Sequence, residues 1–234
     1  MIIRYSRSEL GQGDHGWLKT RFHFSFADYH NPKRMHFGVL RVINDDCIAA
    51  HSGFGKHPHD NMEIITYVRQ GAISHQDSIG NSGKTIAGDV QVMSAGSGIF
   101  HSEQNDEDEE TVLYQIWIFP NQQNVVPRWD AREFPKDPVT QLTCLVSGRA
   151  EHQGSGALFI YQDAALFGGR LKAGTLIHQA IKYQAYLLVA NGAVTLNNDL
   201  QLEAGDGAEI TDLSTIEIMA STDAEVLLID IPRS

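Results

Sequence analysis

The apolar runs of this chain are short, β-branched or aromatic, and closed off by glycine, which leaves little room for long helices. Phe22, Phe24 and Phe26 alternate with polar or small residues, the period of two of a half-buried strand. Met62 to Val68, Thr111 to Phe119, Tyr186 to Val189 and Val226 to Ile231 read as further strands bounded by turn residues. Gly71, Gly80-Asn81, Gly83, Gly88, Gly96 and Gly98 punctuate the first half at hairpin spacing. The expected fold class is all-β, with few short helices. Pro120 to Pro138 is polar and proline-bearing and reads as a connector with room for a short helix.

The two halves repeat. Gly71-Ala72-Ile73 follows one strand and Gly192-Ala193-Val194 another, and Ala87-Gly88-Asp89 matches Ala204-Gly205-Asp206 further on. Each match alone is weak. Their shared order, at spacings of 17 and 13 residues, favours duplication of one all-β unit. The expected division is 1–128 and 129–234, the second beginning with the short connector. With Gly71 set on Gly192 the offset is 121, which places His178 opposite position 57, Ala180 opposite 59 and Gln184 opposite 63. Past the shorter second hairpin, Ile218 and Ala220 fall opposite 101 and 103. A site built on those first-half positions is therefore expected in the first unit alone.

Those positions matter because His57-Pro58-His59 is followed about forty residues on by His101-Ser102-Glu103, each near glycines and strand-like runs. Residues at i and i+2 of a strand share a face, so each motif aims two side chains at one point. A lone His-x-His is ordinarily an exposed or hydrogen-bonded pair. Two such pairs flanking a hairpin-rich segment give three imidazoles and a carboxylate, a mixed nitrogen and oxygen set suited to Fe, Mn, Ni, Co, Cu or Zn. The other histidines lack this pairing and are expected to be structural.

Composition narrows the setting. The formal charge of −11 argues against nucleic acid or an anionic membrane as a direct partner. Much of the acidity sits in Asp106 to Glu110, read as a solvated loop. No stretch approaches the roughly 18 apolar residues needed to span a bilayer, and no secretory leader is evident. Cys47 and Cys144, the only two cysteines, read as small core residues of a reduced compartment. The expected localisation is cytoplasmic.

The motifs resemble the cupin superfamily: His57-x-His59-x-x-x-Glu63 with Gly71 looks like its first motif, and Gly88-Asp89, Gly96, His101 and Asn105 like its second. Ser94 departs from the proline common there, and two extra residues precede His101. Within cupins the chain is more closely similar to the pirin family. Gly16-Trp17-Leu18, Phe24 to Tyr29, Arg41 to Asp46, His57-Pro58-His59, Met62-Glu63-Ile64, His75-Gln76-Asp77-Ser78 and Met93 to Glu103 carry the likeness. The resemblance implies a bicupin of two packed cupin-type β-barrels, with one metal, Fe(II) foremost, held by His57, His59, His101 and Glu103. Glu63 is then expected to orient a ligand imidazole or to be structural.

Bacterial pirins resemble quercetin 2,3-dioxygenases (flavonol 2,4-dioxygenases), which implies that a flavonol such as quercetin is opened with O₂ and carbon monoxide released, Glu103 also serving as general base. Two other readings stand beside it: a metal-containing regulatory protein that binds a protein partner without turnover, with Asp106 to Glu110 as a contact, and a cupin in which the ion acts only as a Lewis acid.

Overall fold

The computed structural model describes residues 1–233. Among them are twenty-two strands and two single-turn 3₁₀ segments, Arg7–Glu9 and Ala150–His152. The protein is an all-β bicupin, as the strand pattern and the resemblance lead one to expect. It divides into two compact units: Gly11–Phe134 with Leu158–Gln162, and Met1–Leu10 with Pro135–Ala157 and the chain from Asp163 onward.

In the first unit a seven-stranded sheet runs in the order Arg128–Arg132, Val90–Ser94, Glu63–Gln70, Thr111–Ile118, Leu40–Ile48, Leu18–Phe22, Gly11–Asp14. A four-stranded sheet runs Ser52–His59, Ile99–Asn105, Ala72–Asp77, Ser82–Ile86. Pro58 lies in an edge strand of this smaller sheet, where its missing N–H leaves no central ladder broken. Leu18, Ile48, Val68 and Leu113 from the larger sheet cluster with Ile73 of the smaller one, so the unit closes over an apolar interior. Neither sheet's ladder closes on itself. Arg128–Arg132 revises the reading of the proline-bearing segment: its residues pair in register with Val90–Ser94 and form a strand.

The second unit repeats the plan. Ile2–Tyr5, Gly207–Ile210, Gln184–Asn191, Ala224–Ile231, Ala165–Leu171 and Thr143–Ser147 lie side by side in that order, and Leu176–Ala180, Thr215–Ala220, Ala193–Leu196 and Leu200–Glu203 form the smaller sheet. The first strand of the chain thus pairs with one that ends at Ile210. The duplication is written in the backbone: φ is 72° at both Gly71 and Gly192, and 88° at both Gly88 and Gly205. A left-handed turn that favours glycine recurs at each aligned position.

The interiors differ. Ile177, Ile216, Ile218 and Ala220 fill the second unit with Leu187, Val226 and Leu228. His178, set opposite His57 by the repeat offset, points outward toward Glu217, its Nδ1 lying 3.6 Å from that carboxylate. The residue facing Ile218 across the ladder is Ile177, one position earlier. Since side chains alternate along a strand, that single step turns the histidine out of the interior. The acidic run from Asp106 is mostly exposed, as expected, with Glu107 paired to Lys84. Cys47 and Cys144 are free and half-buried, so they are not core residues.

Candidate metal centre

The smaller sheet of the first unit brings the motif histidines together. His101 lies directly opposite His57, and Ile99 opposite His59. Between His101 and Glu103 the register slips, because Gly55 and Lys56 both face the single Ser102. Such a bulge frees backbone groups from the ladder. The Gly55 carbonyl lies 2.7 Å from His57 Nδ1. The ring centroids of His57, His59 and His101 lie 4.5 to 4.9 Å apart, and a nitrogen from each falls within 4.8 Å of the others.

The hydrogen-bond partners fix which nitrogen is free. His57 Nδ1–H donates to Gly55, which leaves the lone pair on Nε2. On the other side, His75 Nε2–H faces the Asp77 carboxylate at 3.3 Å, so His75 Nδ1 is an acceptor and takes the Nδ1–H of His101 at 3.4 Å. Asp77 is itself held by the Ile79 and Asn81 backbone N–H groups and the Asn81 side chain. His101 Nε2 is therefore also a lone pair, and it faces His57 Nε2 at 3.1 Å. Two acceptors at that distance repel unless a shared electrophile lies between them. The donor set thus fits a divalent cation. Burial, reinforced by the neighbouring imidazoles, lowers His101 to about 2 and His59 to about 4, so both imidazoles are neutral at physiological pH.

Glu103 approaches from the far side of His101. It groups with His101 and His75 within 4.8 Å, not with the full set of three imidazoles. Its carboxylate docks on a row of polar side chains crossing the larger sheet. Gln91, Thr66, Gln115 and Asn44 stand side by side on four adjacent strands. Gln91 Nε2 and Thr66 Oγ1 donate to Oε1 at 2.6 and 3.2 Å, and Gln115 Nε2 donates to Oε2 at 2.8 Å. Burial pushes Glu103 up to about 7 against the pull of these three donors.

Glu63 opens its strand on the face opposite Thr66, and its Oε2 accepts from Ser94 Oγ at 2.8 Å. His75, expected to be structural, stands within reach of His101 and Glu103 instead. The trace of the polar row in the sequence is a polar residue within each of four largely apolar strands, among other polar residues of those strands.

A cavity of about 390 Å³ opens beside the histidines, walled by Trp17, Phe26, Phe54, Ile64 and Trp117 and reaching Glu103. His59 meets the Trp117 ring edge-on, with centroids 4.9 Å apart. The Pirin family model matches residues 4–118, and the model described as the quercetinase C-terminal cupin domain matches residues 145–231. The chain belongs to the pirin family. A pirin-like protein of Caulobacter vibrioides is 50% identical over 98% of this chain and 99% of its own length. The quercetin 2,3-dioxygenase of Escherichia coli strain K12 is 43% identical over 99% of each. The crystal structure of the bacterial pirin YhhW of Escherichia coli in complex with nickel(II) superposes with a TM-score of 0.92 at 40% identity, covering all of both chains. In this pirin no helix among the described residues is long and apolar enough to cross a membrane.

Proposed function

We propose that this pirin is a metal-dependent dioxygenase that opens the central ring of a flavonol such as quercetin with O₂, giving a depside and carbon monoxide. The observation that carries the reading is the convergence of imidazole lone pairs in the wall of an aromatic-lined cavity, with a buried carboxylate alongside. The names borne by its relatives point the same way.

In this reading His57, His59, His101 and Glu103 hold the cation, with Fe(II) the proposed ion and Zn, Mn, Ni, Co and Cu also compatible with the donor set. When bound, the cation supplies an electron-pair acceptor for the flavonol oxygens and a redox centre for O₂. The remaining work falls to the chain. Trp17, Phe54 and Trp117 clasp a flat ring system and keep bulk water from it. Glu103 accepts the proton of the 3-hydroxyl, and Oε2, with one donor against two on Oε1, is the oxygen freer to take it. Gln91, Thr66 and Gln115 keep that carboxylate from swinging away.

The test is direct. Iron-loaded protein prepared without air is mixed with quercetin, and the flavonol's visible absorbance is followed before and after air is admitted. O₂-dependent loss with carbon monoxide release is expected. Tight metal without turnover across several flavonols would instead identify a regulatory protein, and loss independent of O₂ a Lewis-acid catalyst.

A further inference from the structure

A second cavity of about 280 Å³ adjoins the first, and Leu18, Thr20 and Phe22 are among its own lining. The two spaces share Trp17, Phe26, Asn44, Asp46 and Phe54. These five residues form the waist of one two-chambered space. Two of the five are polar, and both are buried, Asn44 at 5% exposure and Asp46 at 2%. Asn44 Oδ1 and Asp46 Oδ1 each lack a hydrogen-bond donor in the chain. The Thr20 hydroxyl, across the ladder from Asp46, is unpartnered too and is a donor that can serve one of that carboxylate's two oxygens, while the other polar groups nearby are engaged. Gln91, Thr66 and Gln115, in the row with Asn44, are turned to Glu103, and the intervening Asp45 faces the other side of the sheet and pairs with Arg69. Two buried acceptors facing a cavity call for a donor from whatever fills it.

We propose that Asn44 and Asp46 are specificity-determining residues that accept hydrogen bonds from a hydroxyl on the middle of an elongated aromatic ligand. One end of that ligand lies against the imidazoles and the other in the Phe22 chamber. The proposal rests on the dioxygenase reading only for the ring system placed at the imidazoles. Both acceptors line both chambers, so a hydroxyl carried at the junction of the two reaches them. A two-ring phenol long enough to pass the waist satisfies them, and the aromatic walls on both sides suit its faces.

The test measures binding to metal-loaded full-length protein without O₂, read by quenching of Trp17 and Trp117 fluorescence. Quercetin is compared with 3-hydroxyflavone, which lacks the additional hydroxyls. Wild type is expected to prefer quercetin. Asn44→Ala and Asp46→Ala should each cut quercetin affinity about 5- to 30-fold while changing 3-hydroxyflavone less than about twofold. Asp46→Asn, which keeps a carbonyl acceptor, should retain most of the preference. Metal content and melting temperature serve as controls for folding. Equal losses for both ligands, or none, overturn the proposal while leaving the dioxygenase reading intact. Should wild type neither bind nor consume quercetin, that reading fails, and 4-phenylphenol against biphenyl tests the waist by itself. A preference for the phenol that vanishes in the same variants supports the proposal, and one that persists or is absent overturns it.

Discussion

His23 shows how one buried side chain ties this fold to pH. Burial, with the Arg34 and Arg69 cations nearby, lowers it to about 3. Its neutral form is the one the fold accommodates. Stability from this residue is therefore complete above the unfolded value of about 6.5 and drains as pH falls toward 3, by on the order of 4 kcal/mol. Asp46 and Glu103 act in the opposite sense. Burial raises both to about 7, so their contribution is complete below the ordinary carboxylate range and is lost as pH rises through 7. The quantity that isolates His23 is the difference between wild type and His23→Gln. Urea unfolding of the metal-free proteins between pH 6.5 and 3 should show a shallower acid decline in the variant. Parallel declines would remove His23 from the explanation.

At the scale of the element, the hairpin that joins Ala72–Asp77 to Ser82–Ile86 reaches into the candidate metal centre. Asp77 caps its turn through the Ile79 and Asn81 N–H groups and also orients His75, which in turn fixes the tautomer of His101. Asp77→Asn is expected to weaken metal affinity roughly 10- to 100-fold, measured by competition with a chelator, at a nearly unchanged melting temperature. Unaltered affinity would mean that His101 is oriented without this chain. The histidine pairs were legible in the sequence because i and i+2 residues of any strand share a face. The relay through His75 was not, because it depends on His75 standing beside Glu103 across the ladder, a register that no local pattern encodes. The polar row was hidden for the same reason: Gln91, Thr66, Gln115 and Asn44 become neighbours only once four strands are aligned.

Over the whole molecule, duplication was legible from two glycine turns, and their matched φ values bear it out. The offset between halves failed at His178 by a single residue, enough in a strand to exchange inside for outside. With Ile177, Ile218 and Ala220 packed into an apolar core, the second unit offers no ligands at the matching positions. Metal analysis should therefore find one equivalent per chain, abolished by the double variant His57→Ala/His59→Ala. A second equivalent surviving that variant would point to a centre elsewhere.

The pairing of Ile2–Tyr5 with Gly207–Ile210 has a consequence for biosynthesis. Ile2–Tyr5 is made before its ladder partners, which follow roughly 200 positions downstream, about 10 to 40 s later at ordinary elongation rates. Until then the amino-terminal strand is an unsatisfied edge on the nascent chain. The Gly11–Phe134 unit can form most of its ladders during that wait, whereas the other unit cannot be completed before Gly207–Ile210 has been made. A substitution that weakens the Ile2–Tyr5 strand therefore burdens the unit that is completed later.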